Sequence, residues 1–232
     1  MSRQRPPVVF AGPSIFGLDD TASEGLDMRP PAGRGAILAA VADGASAIGL
    51  IDGVYESEPA VWHKEILHAL SIGIPVLGAA SMGALRAAEC AAFGMVGIGG
   101  IFADYRDGIR TADADVAVMH APAELGYQPL TVALVDAEAA LAALLAQGAI
   151  DRLVHKRLLA RACQLHFKQR TWPAICDDRD LAVLAEAQPS RKGDDARALL
   201  DRLRGGLLPK PAPFELNATG YLTGLARALD IR

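Results

Sequence analysis

Two short, unbroken apolar runs constrain this chain most: "AIGLI" at residues 47–51 and "IPVLG" at residues 74–78. Runs of this length without polar alternation suit strands buried on both faces, as in a parallel sheet. The first ends at Asp52-Gly53 and the second at Ala79-Ala80-Ser81, and a helical pattern follows each. A third run, 8–11, ends in Gly12-Pro13-Ser14, and a fourth, 116–119, closes at His120-Ala121-Pro122. Helices are expected over 36–42, over 57–70 with Ser57 as cap and Pro59 in the first turn, and over 82–93, with a helical turn over 101–106.

The order β-loop-α-β-α-β-α-β predicts right-handed crossovers. The fold class is therefore α/β: an open parallel sheet of about four strands with flanking helices, Rossmann- or flavodoxin-like. Residues 18–35, rich in Gly and Pro, read as a long connection, either functional or mobile. From Pro129 the pattern becomes helical, which suggests an α/β core domain over 1–128 and a helical region over 129–232 packed on it. Sheets of this kind bind ligands beyond the carboxyl ends of their strands. That edge would gather Gly12, Ser14, Asp52, Gly53, Ser81 and His120.

With 232 residues, 51% of them hydrophobic, the chain can bury one sizeable core. A net charge of −4 without basic runs argues against nucleic acid as a partner. The apolar stretch after the first residues is too short for a signal peptide, and none approaches the roughly 18 apolar residues of a membrane helix. The expectation is a cytoplasmic protein with no membrane association. Cys90, Cys163 and Cys176 match no metal or redox spacing, and the five histidines form no zinc motif. No Walker loop or dinucleotide fingerprint is present, so no metal or cofactor is expected.

Ser81 stands where a buried strand turns into a helix. Ala79 and Gly83 place small residues two before and two after it, the steric requirement of a nucleophile elbow. Met82 and Gly83 open a helix whose N–H groups can face an oxyanion or another anion. The same position suits a simple helix cap, so nucleophile, cap and anion-binding readings all remain. His63 shares a helical face with Ile66, Leu67 and Leu70, which suggests either a core histidine or a base near the same edge. Asp52 suits a turn, or the orientation of a histidine. Lys64 falls on the solvated side. Arg86 is three residues from Glu89, an ordinary ion pair or an anion contact. Tyr105 and Arg106 precede an Asp-Gly turn and are candidates to flank a pocket.

Four blocks between residues 47 and 122 carry a resemblance: "IGLIDGVYESEPAVWHKEILHAL", "GAASMGALRAAE", "FGMVGIGGIFADYRDG" and "DADVAVMHAP". In order and interval they resemble the TfuA-like family, over about the middle half of the chain. The resemblance implies a role beside YcaO enzymes, which activate a peptide backbone amide with ATP, in pathways that install a thioamide. It further implies release of sulfide by hydrolysis of the C-terminal thiocarboxylate of a ThiS-like sulfur carrier. The partners so implied are a YcaO-type enzyme, that carrier and a precursor peptide. Such hydrolysis is acyl transfer, for which Ser81 offers a nucleophile, His63 or His120 a base and Asp52 an orienter. Direct attack by water, with Ser81 binding the carboxylate end, is a variant of the same chemistry. A different reading is a non-catalytic adaptor that docks on the YcaO enzyme and presents carrier or peptide.

Overall fold

A computed structural model describes residues 5–228 apart from residues 57 and 218. It contains five strands, β1 (Val8–Phe10), β2 (Asp27–Arg29), β3 (Ile48–Leu50), β4 (Val76–Ala79) and β5 (Val96–Ile98). Helices α1 (Ala36–Ala42), α2 (His63–Ser71), α3 (Met82–Cys90) and α4 (Gly99–Arg106) lie between or after them. The second half holds α5 (Leu134–Ala146), α6 (Arg152–Gln164), α7 (Trp172–Ile175), α8 (Arg179–Glu186), α9 (Arg191–Arg204) and α10 (Gly220–Ala228). All strand pairs are parallel, in the order β2-β1-β3-β4-β5. The chain leaves β1 to one side for β2 and returns to its other side for β3. The switch point therefore lies at the carboxyl ends of β1 and β3, where such sheets place their ligands.

The sheet is buried on both faces, as its apolar runs predict. Val8, Phe10, Ile48 and Leu50 pack on α1 and α2 through Ile37, Ile66 and Leu70. Val9, Leu77 and Ala79 face the opposite way, against Leu199, Leu200 and Leu203 of α9. Alternation along each strand separates these two clusters. Gly49 leaves the room for α9, since a Cβ there would stand 2.8 Å from Leu203 Cδ1. Thus a helix from the last quarter of the chain covers one face of a sheet built by the first half. Full burial of each α9 leucine contributes about 1.5–3 kcal/mol.

Four expectations need correction. Residues 116–119 form no strand; Met119 instead bonds to the returning chain through Thr131 Oγ1 and Leu130 N–H. Val116 packs with Leu85 and Ile101. An apolar run signals burial without specifying its partner. The edge strand is β5, whose run "VGI" is broken by Gly97, where a Cβ would strike the Phe102 ring. On the opposite edge, β2 lies inside the segment read as a connection. Its charged Asp27 and Arg29 pair with each other, a composition that suits an edge and hides a strand. Finally, α2 begins at His63 rather than at the proposed Ser57 cap, which lies outside the described residues.

Glu65 anchors the head of α2. Fully buried, it accepts the N–H of Gly35 at 2.9 Å and that of Trp62 at 3.1 Å. Burial raises its carboxyl pKa, against the lowering effect of those N–H donors. The folded chain therefore holds this proton more tightly than the unfolded chain. Its contribution to stability is full below the unfolded carboxylate value and declines as pH rises through the raised folded value. Glu65→Gln removes that dependence. Urea unfolding of parent and variant is expected to show a parent-minus-variant stability difference that is larger at pH 4 than at pH 7.

Candidate functional site

The elbow at Ser81 is built from a one-residue reversal. Ser81 N–H donates to Ala79 O at 2.7 Å, closing a γ-turn around Ala80, which holds φ at +64°. This hand of turn is rare, and a non-glycine residue held there costs on the order of 1–3 kcal/mol. Strand β4 ends at Ala79 and α3 starts at Met82, so the strained turn presents Ser81 between them. Ser81 occupies the N-cap position yet makes no side-chain cap hydrogen bond. Its Oγ donates instead to Val116 O, at 3.5 Å. The first turn of α3 has fewer free donors than expected: Gly83 N–H goes to Ile51 O and Ala84 N–H to Ser81 O.

Asp52, 2% exposed, holds the loop after β1. Its Oδ2 accepts the N–H groups of Gly12 and Ser14 at 2.9 and 3.0 Å, and its Oδ1 accepts Ser14 Oγ at 2.7 Å. Both oxygens thereby hold the switch-point loop, and among the described residues neither is hydrogen-bonded to a histidine. His120 Nδ1 lies 2.8 Å from Ala121 O. A carbonyl can only accept, so Nδ1 carries the proton and Nε2 of the neutral ring is the acceptor. The ring also meets Tyr127 edge-on, with centroids 5.6 Å apart. A cleft of about 660 Å³ at the carboxyl edge is lined by Asp52, Gly53, Ser81, Met82, His120 and Tyr127, among others.

Other predicted site residues stand outside that cleft. His63 is half-exposed in the first turn of α2, where the apolar face runs off the end of the core; its Nε2 lies 2.7 Å from Glu89 Oε2. Arg86 makes the ordinary pair, Nη1 to Glu89 Oε2 at 2.6 Å, and its Nε donates to Val61 O. Partial burial works against the Glu89 carboxylate, but hydrogen bonds from His63 and Arg86 hold its pKa below the usual value. Lys64 does not line the cleft. Tyr105 donates its hydroxyl to Ala112 O, and burial raises its pKa. Arg106 pairs with Asp107 on the surface. Gly12 and Ser14 act behind the cleft, through Asp52, and Gly83 packs against the backbone of β3.

A family model described as TfuA-like protein matches residues 52–171. The chain belongs to the TfuA-like family. No curated protein matches it. Membership supports an accessory role in a YcaO-associated pathway. The matched segment of this TfuA-like chain opens at Asp52 and contains Ser81 and His120.

Three features of the cleft and its wall escape a reading of the sequence. Tyr127 follows Gly126 in "ELGYQP", and both take positive φ, folding the Tyr127 ring against His120. Lys168 stands at the cleft, paired with Glu56 Oε2 at 2.6 Å and set over the Phe167 ring. Lys192 reaches Val116 O from α9. Only the Gly126-Tyr127 pair leaves a local signal, a glycine at a turn. Among the described residues no helix is long and apolar enough to cross a membrane, and no three His, Cys, Asp or Glu side chains are grouped to hold a metal ion.

Proposed function

We propose that this TfuA-like protein supplies sulfide for YcaO-dependent peptide thioamidation by hydrolysing the C-terminal thiocarboxylate of a ThiS-like sulfur carrier. The observation that supports this reading is the elbow: a strained turn presents Ser81, without a cap bond, into the cleft that also contains His120 with Nε2 as acceptor. Ser81 Oγ attacks the thiocarboxylate carbon as His120 Nε2 takes its proton. The N–H of Met82, at the head of α3, is the donor of that turn available to the developing oxyanion. The tetrahedral intermediate then collapses, the C–S bond breaks, and the proton on His120 leaves with sulfur as hydrosulfide. Water, deprotonated by the same imidazole, hydrolyses the Ser81 ester. The imidazolium returns that proton to Ser81 Oγ, the carboxylic acid so formed ionises and releases its proton to solvent, and the carboxylate departs, so one water is consumed and one proton released for each hydrosulfide formed. Hydrosulfide leaves more readily than an amine, so an imidazole oriented by a backbone carbonyl suffices as base.

The test is sulfide release from a thiocarboxylated ThiS-like carrier by the isolated protein, without YcaO enzyme or precursor peptide. Catalytic release above the carrier's own background is the expected result. Release only when the YcaO enzyme and peptide are added would favour the adaptor reading.

A further inference from the structure

Lys192, the second residue of α9, is 3% exposed. Its Nζ donates to Val116 O at 2.8 Å, and the same carbonyl accepts Ser81 Oγ at 3.5 Å. The ammonium therefore lies at most about 6 Å from the serine oxygen, near enough for a buried charge to act on a neighbouring ionisable group. Withdrawing an ammonium from water costs several kcal/mol unless an opposite charge answers it. No acidic side chain of the described residues forms an ion pair with Nζ. Asp136 on α5, itself partly buried, answers this charge from a distance, since Lys192 favours its ionised form; its Oδ1 takes the backbone N–H of Lys192 at 3.0 Å and Ser190 Oγ–H at 3.1 Å. Lys192 also lies outside the segment that the family model matches.

We infer that Lys192 is a positioning residue for Ser81: its buried charge fixes the Val116 carbonyl and favours negative charge on Oγ as the hydroxyl attacks. This rests on the reading of Ser81 as nucleophile. The cation acts through Val116 O and touches no substrate. It would act on the chemical step, because carrier docking occurs at the cleft while Lys192 approaches from behind its wall. Lys192→Met keeps the shape of the stem and removes the charge; Lys192→Arg keeps the charge.

The experiment measures sulfide release from a short synthetic peptide thioacid and from a thiocarboxylated carrier, together with labelling of Ser81 by a fluorophosphonate probe. For Lys192→Met, kcat is expected to fall about 10- to 100-fold with KM within about twofold, and labelling to slow by a similar factor. Lys192→Arg is expected to stay within about threefold of the parent on both readouts. A folded Lys192→Met with parental kcat and labelling rate would overturn the inference. So would a Lys192→Arg as slow as the methionine variant, since shape rather than charge would then be required. If Lys192→Met does not fold, the arginine variant decides alone: parental rates support the inference, and a tenfold loss in a folded protein overturns it. Failure of the nucleophile reading looks different. The parent would then resist labelling at Ser81, Ser81→Ala would release sulfide normally, and this inference would fall with it.

Discussion

Ser81→Ala is expected to lower sulfide release by about three orders of magnitude or more while shifting the thermal midpoint by no more than about 2 °C. The two halves of this expectation come from different parts of the structure. A cap serine replaced by alanine ordinarily costs about 0.5–2 kcal/mol, because a helix N–H loses its acceptor. Ser81 supplies no such acceptor: its N-cap side chain makes no hydrogen bond to α3. The bond it does make, to Val116 O at 3.5 Å, is at the long limit and contributes little. Stability is therefore nearly indifferent to the hydroxyl. Turnover is expected to depend on it, because the elbow displays that hydroxyl in the same cleft as His120, and removing either member of the proposed nucleophile–base pair would cost nearly the whole effect. Sulfide release and thermal melting, measured on one preparation of each protein, check both halves. A variant that melts several degrees lower yet turns over normally would return Ser81 to a structural role and leave the cleft to an adaptor.

Gly83→Ala is expected to act in the opposite way, with a loss of stability of about 4 kcal/mol or more, enough to abolish much of the folded population. A Cβ at Gly83 would stand 1.7 Å from Leu50 O and 2.6 Å from Leu50 C. These are backbone atoms in the centre of the sheet, and no rotamer change can move them away. Helix α3 would have to retreat from β3. It would break the bond from Gly83 N–H to Ile51 O and open the contact with Gly78, where a Cβ would already stand 2.1 Å from Gly83 O. Overpacking with a side chain as neighbour is usually milder, about 1–3 kcal/mol, because that neighbour can yield. Urea unfolding followed by circular dichroism measures the loss. A variant within about 1 kcal/mol of the parent would mean that α3 can lift off β3 cheaply, and that the rigid seat of Ser81 is not rigid.

The two substitutions also show how much of the site could be read in the sequence. "AASMGA" announces small residues around a serine at a strand-to-helix turn, and the turn is there. The reasons differ at each position. Ala80 is the strained corner, a residue whose conformation no sequence pattern announces. Gly83, in α3, is glycine because of Leu50, thirty-three residues earlier on β3. The histidines divide for the same reason. His63 repeats at helical spacing with buried leucines, but its turn projects past the core and meets Glu89 on another helix. His120 ends a run misread as a strand, yet the chain returning at 128–131 brings it to the cleft with Tyr127. Asp52 was legible as a polar group at a strand end; that Gly12 and Ser14 occupy both of its oxygens was not.

Local physics determined the strands of the sheet's interior, their parallel sense and the elbow, because continuous apolar runs, Asp-Gly and Gly stops, and helical periodicity act over a few residues. The edges were decided elsewhere. Asp27–Arg29 is a strand only because β1 offers it a partner, and Val96–Ile98 only because β4 does, while residues 116–119 lose that place to a different pairing. The wall behind Ser81 belongs to the same class. Val116 and Lys192 are seventy-six residues apart, and α9 brings them together because its leucines must bury themselves on Gly49 and its neighbours. Burial of apolar surface is non-directional, so a sequence declares which residues must leave water, and only the packed chain decides what each one meets.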